Sequence, residues 1–264
     1  MTSLFTIASG SEGNCLLLRC GGTHLLVDAG ISTRRIATAL DTLDVSLRTI
    51  DGILLTHAHT DHTAALAVLA KHHPLPLYAT AQTAAQIAQR CAAAAPLLRS
   101  IPVGEPFYIG EAEITAFPTS HDAWGSVDYR IDTAEGSIGI LTDTGYVTDE
   151  AAITLQGVDL LVLESNHDME MLRSGPYPPY LKERIAGTRG HLSNDDAARF
   201  AVEMARWGTK EFVLAHLSRE NNIPALALHA VQSALAAHGF DTPVSVAPRR
   251  DLSRYDVEVE LCRR

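Results

Sequence analysis

Short apolar runs alternate along this chain with longer stretches in which apolar residues recur at helical spacing, a pattern that predicts strands interleaved with helices. Strand-length apolar runs lie at 4–8, 14–19, 24–27, 52–55, 77–79, 113–117, 127–131, 137–141, 159–163, 212–215 and 255–261. Helical patterns lie at 34–43, 63–72, 83–93, 149–156, 194–207 and 224–238. Thr148 and Ser193 are positioned to cap two of these helices, and Gly239 to end the last.

The connections between these elements indicate the fold class. Glycine-rich turns such as Cys20-Gly21-Gly22-Thr23 separate the early strands and predict hairpins, whereas helices join several later strands. Sheets of mixed direction with helices on their outer faces are the natural result. No linker of low complexity divides the chain, so we expect an α/β protein with a single domain over residues 1–264.

One segment, residues 166–191, resists assignment to a regular element. Its centre, Gly175-Pro176-Tyr177-Pro178-Pro179-Tyr180, cannot form a helix interior or a central strand. Loops of this length inside compact domains are usually functional or disordered. The segment is comparatively basic, with Arg173, Lys182, Arg184 and Arg189.

Composition narrows the class of protein further. With 264 residues and 46% hydrophobic content the chain can bury a sizeable core. We expect a cytoplasmic protein without a membrane span, because neither a signal peptide nor an apolar run of roughly 20 residues is evident. The cysteines Cys15, Cys20, Cys91 and Cys262 are scattered, which favours reduced thiols. A net charge of -10 argues against a surface that coats nucleic acid in general.

The most informative motif is Thr56-His57-Ala58-His59-Thr60-Asp61-His62, which directly follows the apolar run at 52–55. On an extended backbone His57 and His59 share one face, and Asp61 and His62 then lie where the next helix begins. Imidazole nitrogen mixed with carboxylate oxygen suits borderline-soft divalent metals. A histidine-rich surface turn, such as His72-His73, is the alternative, but the strict spacing favours a metal site.

Three further candidate ligands follow other predicted strands. His121 comes after the run at 113–117, Asp143 after 137–141 and His216 after 212–215. Because α/β folds bind ligands at strand ends, we expect these side chains to meet the histidine motif. A lone histidine is more often structural, and for His121 and His216 taken separately that alternative stays open.

The pattern His57-x-His59-x-Asp61-His62 with His121, Asp143 and His216 resembles the metallo-β-lactamase superfamily, and especially its phosphodiesterase and nuclease branch, which includes tRNase Z and ribonuclease J. The resemblance implies a four-layer αββα sandwich, with two mixed sheets flanked by helices and the site at an edge where the sheets meet. It also implies two divalent metal ions, for which zinc, manganese and iron are all suitable. The first would take His57, His59 and His121, the second Asp61, His62 and His216, and Asp143 would bridge them.

Longer segments are similar, in order along nearly the whole chain, to the YycJ/WalJ family of bacterial metallohydrolases. They are Ser9-Gly10-Ser11-Glu12-Gly13-Asn14-Cys15, Thr142-Asp143-Thr144-Gly145-Tyr146, Glu164-Ser165-Asn166-His167-Asp168, Gly175-Pro176-Tyr177-Pro178, Leu181-Lys182-x-Arg184-Ile185 and Gly190-His191-Leu192-Ser193-Asn194. The chain departs from the family at Ala123-Trp124-Gly125-Ser126, where an acidic residue and a proline are expected. The departure concerns the shape of the pocket wall. Asp28 resembles the aspartate that supports the histidine loop in the superfamily.

The resemblance implies that a metal-bridging hydroxide attacks phosphorus in line. His191 is the expected proton donor, because it resembles a tRNase Z histidine in a Gly-His-Ser context. Glu164 or His167 would orient it, and Asp61 completes the predicted catalytic group. His191 could instead stabilise the start of the following helix, Glu164 and His167 could be ordinary loop residues, and His167 could be a further ligand.

The implied activity is that of a 5′-to-3′ exodeoxyribonuclease, so the expected partner is nucleic acid, and DNA ends in particular. Asn14, Tyr177, Lys182 and Arg184 are the candidate substrate-binding residues, although Asn14 is explained equally well as a turn residue. One alternative function is a phosphodiesterase for small cyclic or nucleotide phosphodiesters. Another is a non-catalytic metal-binding regulatory partner.

Overall fold

The computed structural model describes residues 1–257, which form two seven-stranded mixed sheets. The first sheet has the order β14-β1-β2-β3-β4-β5-β6, with β1 (Thr2–Ala8), β2 (Cys15–Cys20), β3 (Thr23–Val27), β4 (Gly52–Leu54), β5 (Leu77–Ala79), β6 (Leu98–Ser100) and β14 (Ser253–Val257). The second has the order β13-β12-β11-β10-β9-β8-β7, with β7 (Pro106–Ile109), β8 (Ala112–Pro118), β9 (Val127–Thr133), β10 (Gly136–Leu141), β11 (Leu160–Glu164), β12 (Glu211–Ala215) and β13 (Val244–Val246).

The α-helices of the described residues are α1 (Thr33–Asp41), α2 (Thr60–Thr63), α3 (Leu66–His72), α4 (Ala81–Arg90), α5 (Asp149–Thr154), α6 (Met169–Ser174), α7 (Pro179–Ala186), α8 (Asn194–Arg206) and α9 (Pro224–Ala237). Thr148 and Ser193 cap α5 and α8 through their side-chain oxygens, as predicted. Gly239 follows the end of α9 with φ +80°, the left-handed conformation that ends helices. None of these helices is both long enough and apolar enough to cross a bilayer.

Alternating side chains explain why the strands read as continuous apolar runs. On β2, Leu16 and Leu18 face the second sheet, whereas Leu17 faces the other way, among apolar residues of α1, α3 and α4. The second sheet packs on its outer face against α5, α8 and α9. The layers are therefore helices, sheet, sheet and helices, which confirms the predicted αββα sandwich.

The structure corrects several predicted elements. The helix expected at 63–72 begins only at Leu66, as α3, and a separate short helix, α2, precedes it and ends at Thr63. The unassigned 166–191 segment contains α6 and α7. Pro179 occupies the first turn of α7, where its missing N–H costs nothing. The sequence prediction missed β6, β7 and β13, which are short and largely exposed or half-buried. Of the strand expected at 255–261 only 255–257 is described, and the remainder lies outside the described residues with Cys262.

Parallel strands in both sheets end at one edge of the sandwich. In the first sheet β3 is parallel to β4, and in the second sheet β10, β11 and β12 are parallel to one another. Asp28 follows β3, Asp143 lies just beyond β10, and His216 follows β12. The candidate ligands therefore come from separate segments that share one edge, as the strand-end argument predicts.

Candidate metal centre

The backbone is strained where it delivers three of the central side chains. Among the described non-glycine residues, positive φ angles occur only at Asp28 (61°), Asp143 (49°), His216 (55°) and Asp44 (56°), the last on the surface after α1. A left-handed backbone is uncommon for residues other than glycine and costs free energy. At Asp28, Asp143 and His216 it turns the chain sharply at a strand end. The side chains of Asp143 and His216 then reach the ligand clusters, and that of Asp28 reaches the outer side of His62.

His57, His59 and His121 form the first cluster. The Nδ1 atom of His59 lies 3.0 Å from Nε2 of His57 and 3.3 Å from Nε2 of His121. Burial is the largest influence on the pKa values of His57 and His59 and lowers both. Neutral imidazoles with converging nitrogens are suited to a divalent cation.

Asp61, His62 and His216 form the second cluster. Oδ2 of Asp61 lies 3.5 Å from Nε2 of His62 and 3.8 Å from Nε2 of His216. Asp143 lies between the clusters, with Oδ2 at 3.2 Å from His62 Nε2 and Oδ1 at 3.8 Å from His121 Nε2. The structure therefore brings together all seven predicted ligands in the predicted grouping.

Two buried atoms at this centre, Oδ2 of Asp143 and Nε2 of His216, make no hydrogen bond to any of the described residues. Buried polar atoms are nearly always hydrogen-bonded, so these two atoms need another partner, although Oδ2 of Asp143 lies 3.2 Å from Nε2 of His62. Both are good ligand atoms for a divalent cation. The donor set thus fits divalent metal binding.

Asp28 holds the histidine loop from behind. Its Oδ1 accepts a hydrogen bond from the backbone N–H of Thr56, and its Oδ2 accepts one from the Thr56 hydroxyl. Oδ2 also lies 2.7 Å from Nδ1 of His62. This contact leaves Nε2 of His62 directed at the site, as outer partners of metal-binding histidines commonly do.

Glu164, at the end of β11, is shared between two histidines. Its Oε1 lies 2.9 Å from Nδ1 of His216 and 2.8 Å from Nδ1 of His191, and the backbone N–H groups of Thr144 and Leu192 donate to Oε2. Although burial alone would raise the pKa of Glu164, its histidine neighbours lower it to about 2. An ionised Glu164 therefore fixes the orientation of both rings.

The second cluster holds protons that a cation would displace. Burial lowers the pKa of His216, but Asp143, Asp61 and Glu164 outweigh that effect and raise it to about 10. Burial also lowers the pKa of His62, but the carboxylates of Asp28 and Asp143 outweigh burial and raise this pKa well above its usual value. Metal binding at this cluster would therefore release protons.

Asp128 is a supporting residue that the sequence analysis missed. Its Oδ2 accepts hydrogen bonds from the N–H and the hydroxyl of Thr142, the residue before Asp143, as Asp28 does for Thr56 beside His57. It is completely buried, and burial raises its pKa well above the usual value. The feature of the sequence that could have indicated this role is the single aspartate within the strand-length run at 127–131.

A cleft of about 180 Å³ opens beside the centre, lined by residues that include Ser11, His121, Tyr177, Arg184, Arg189 and His191. Nε of Arg184 donates to Oδ2 of Asp122 at 2.6 Å, and Oδ1 of Asp122 lies 3.5 Å from Nε2 of His121. Asp122 therefore couples a basic side chain of the cleft wall to the first cluster. In the sequence, the only indication that Asp122 belongs to the site is its position next to His121.

Other predicted site residues lie less directly in this cleft. Lys182 lies outside the cleft lining and donates instead to the carbonyl of Arg173. Asn14 both stabilises the glycine turn and faces the site. Its Oδ1 accepts a hydrogen bond from the N–H of Gly10, and its Nδ2 lies 3.1 Å from Nε2 of His62. His167 is buried, and within the described part of the chain neither of its ring nitrogens has a hydrogen-bond partner.

His167 lies outside the four groups of ligand atoms that the described residues bring together. Burial is the main cause that lowers its pKa to about 4, so its ring is neutral at physiological pH. Of the two residues proposed to orient His191, the structure brings Glu164 and not His167 into hydrogen-bonding contact.

The substitution Asp28→Asn tests the support behind the histidine loop. Because it leaves buried donors facing an amide instead of a carboxylate, we expect the free energy of unfolding to fall by about 3 kcal/mol. Metal affinity should fall by about 10- to 100-fold. Urea unfolding and metal titration measure the two effects. Asn tolerates positive φ, so backbone strain is unchanged, and Asp44→Asn, at a similar φ on the surface, is the matched control. Equal behaviour of the two variants would contradict the support role.

Comparisons with known proteins agree with this geometry. A model of the "Beta-lactamase superfamily domain" matches residues 23–217. The chain is 37% identical over 242 residues to an exodeoxyribonuclease YycJ of Bacillus anthracis, with 89% of each chain covered. It is 38% identical over 233 residues to an exodeoxyribonuclease WalJ of Streptococcus pneumoniae, with 87% of each covered.

Solved structures show the same fold. The metallo-β-lactamase fold protein YhfI from Bacillus subtilis superposes with a TM-score of 0.73 at 20% identity, over 97% of this chain and 100% of the other. The short form of human tRNase Z superposes with a TM-score of 0.66 at 19% identity, over 97% of this chain and 100% of the other. At such identities the likeness concerns the arrangement of strands and helices.

Proposed function

We propose that this chain, which belongs to the YycJ/WalJ family of the metallo-β-lactamase superfamily and is a metal-dependent hydrolase, is a 5′-to-3′ exodeoxyribonuclease that acts on DNA ends. The relatives named exodeoxyribonucleases support the substrate class. The observation that carries the proposal is the position of His191. It lies in the wall of the cleft beside the ligand clusters, and its Nδ1 is 2.8 Å from Oε1 of Glu164.

The proposed cofactors are two divalent ions, zinc, manganese or iron. His57, His59 and His121 would hold one, Asp61, His62 and His216 the other, and Asp143 both. When bound, such ions supply Lewis acidity toward a phosphoryl oxygen and lower the pKa of water. Ligands come from both sheets, which supports the further proposal that residues 1–264 act as one domain.

His191 is proposed to donate a proton to the oxygen that leaves phosphorus. Its Nδ1 is engaged by Glu164, so Nε2 is the atom available to substrate in the cleft. The contact between Nδ1 and Glu164 fixes the orientation of the ring, so that a proton carried on Nε2 would face the leaving oxygen. Asp61 completes the proposed catalytic group by presenting its carboxylate to the second cluster. The catalytic role suggested for His167 stays a prediction.

The cleft wall provides the proposed contacts to DNA. Tyr177 offers an aromatic face for a base, and Arg184 and Arg189 offer guanidinium groups for phosphates. Asn14 is directed toward the second cluster and is proposed to contact the reacting phosphate. Lys182 stays a prediction without support, because it does not line the cleft and its ammonium group is bound to the carbonyl of Arg173.

The proposal is tested with purified protein whose metal content has been measured. Single-stranded and duplex DNA, labelled at the 5′ or the 3′ end, should lose nucleotides progressively from the 5′ end, and a chelator should abolish the reaction. A blocked 5′ end should protect the strand, and RNA of the same sequence measures the preference for DNA. Hydrolysis of small cyclic or nucleotide diesters without any loss from DNA would reject the proposal. Metal binding without hydrolysis of either would indicate a non-catalytic role.

A further inference from the structure

A second group of basic residues lies next to the active-site cleft, around the glycine-rich turn at residues 9–13 that joins β1 and β2. Four arginines from three distant parts of the chain line a small cleft there, and we call it the arginine cleft: Arg35, Arg219, Arg249 and Arg250. The chain has 21 Lys and Arg against 31 Asp and Glu, so four guanidinium groups in one cleft stand out from an acidic background. A local concentration of arginine is typical of sites that bind phosphate.

One carboxylate occupies this cleft. Oε1 of Glu12 accepts from Nη1 of Arg219 at 2.8 Å, and Oε2 accepts from Nη2 of Arg250 at 2.9 Å. The two oxygens thus engage two different arginines, as two oxygens of a phosphate would. Arg249 donates to the carbonyl of Ser218, and the guanidinium of Arg35 has no hydrogen-bond or ion-pair partner among the described residues. Glu220 also lies near Arg219, with Oε1 at 3.6 Å from Nε. Four guanidinium groups beside the two carboxylates of Glu12 and Glu220 leave the arginine cleft with a net positive charge, which attracts anions.

The arginine cleft adjoins the active-site cleft. Ser11 lines both, and Ser218, whose carbonyl binds Arg249, lies in the active-site cleft two residues beyond His216. A strand whose scissile phosphate lies at the ligand clusters could therefore pass over Ser11 and place another phosphate among the arginines. A compound with one phosphodiester has no second phosphate to place there.

We propose that the arginine cleft binds a backbone phosphate of the DNA strand beyond the one that is hydrolysed, and that Glu12 takes the place of this phosphate when DNA is absent. The inference rests on the proposed function and deepens it, because it explains how an acidic protein retains a polyanionic strand. Affinity for DNA then depends on the arginines, and the chemical step does not. Glu12 competes with DNA, so its charge weakens binding.

The experiment measures the binding of a fluorescent single-stranded DNA to the metal-loaded protein over a range of salt concentrations. All variants carry His191→Ala so that DNA is bound and not consumed. The double variant Arg219→Ala/Arg250→Ala should bind at least tenfold more weakly at low salt, with a slope of log affinity against log salt that is smaller by about 0.7, the value for one lost phosphate contact on a single strand. Glu12→Gln should bind several-fold more tightly. Arg199→Ala, which removes an exposed arginine paired with Asp196 on α8, is the matched control and should bind normally.

A purely structural role for these ion pairs predicts a different result, because Glu12→Gln would then weaken binding or leave it unchanged. Either outcome, or normal binding by the double arginine variant, would overturn the inference. With His191 restored, the arginine variants should hydrolyse bis(p-nitrophenyl) phosphate at the normal rate, which confirms an intact centre. Binding of DNA through the arginines without release of nucleotides would reject the exonuclease and leave the inference standing. If DNA were hydrolysed, and neither its hydrolysis nor its binding changed in the arginine variants, the exonuclease would stand and the inference would be rejected.

Discussion

His191→Ala is expected to slow the hydrolysis of DNA by about 10²- to 10⁴-fold in kcat, the usual contribution of a positioned general acid. The leaving group in DNA is an alkoxide, which needs a proton as the bond to phosphorus breaks. In bis(p-nitrophenyl) phosphate it is a stabilised phenolate, which departs without one. The same variant should therefore hydrolyse that diester at close to the normal rate. The contrast between two substrates separates loss of a proton donor from damage to the metal centre.

The control is His72→Ala, because His72 is an exposed histidine in the last turn of α3, away from the cleft. It should leave both reactions unchanged. Metal content, measured on each protein, should be the same in His191→Ala and the unaltered chain, since His191 is outside the seven proposed ligands. If both substrates lost activity equally while the metal content stayed normal, His191 would not be acting as a proton donor to the leaving group.

Asp143→Asn is expected to lower kcat/KM for every phosphodiester substrate on the order of a thousandfold or more, because the charge between the two ligand clusters is lost. Metal ions contribute several kcal/mol to stabilising the transition state, and each 1.36 kcal/mol corresponds to about a factor of ten in rate. Asp143 is 3% exposed, and its carboxylate contacts His62 and approaches His121. Elemental analysis should show that the variant retains less metal than the unaltered chain.

This substitution separates charge from backbone strain. Asn is nearly isosteric with Asp and tolerates the positive φ of this position, so the strand-end turn should persist. Asp44→Asn changes the same residue type at a similar φ on the surface and should retain full activity and metal. A full complement of metal and normal activity in Asp143→Asn would show that Asp143 is not a ligand.

The metal-binding motif could be recognised from the sequence because its residues are close together along the chain. His57, His59, Asp61 and His62 lie within six residues after a strand, so their closeness follows from the covalent chain and the strand that precedes it. His121, Asp143 and His216 were found by a second rule, that ligands collect at strand ends, and the structure does bring them to one edge. The apolar runs likewise identified most strands, because both faces of each sheet are buried.

Other predictions went wrong for equally physical reasons. The proline-rich 166–191 segment suggested a loop, yet Pro179 begins α7, because proline disfavours helix interiors and not first turns. The strands β6, β7 and β13 carry little apolar signal, since they are short and much of their surface is exposed or half-buried. These strands are held in place by backbone pairing with neighbouring strands, and burial of their own side chains contributes little.

From the sequence alone came the fold class, the seven candidate ligands and the likeness to a family, because strand periodicity and the spacing of ligand types are written in consecutive residues. Tertiary structure decided the rest: that one oxygen of Glu164 serves both His191 and His216, that Asp128 supports the loop of Asp143, and that arginines from distant parts of the chain meet around Glu12. These contacts join residues far apart in sequence, and such closeness is set by the packing of two sheets at a common edge.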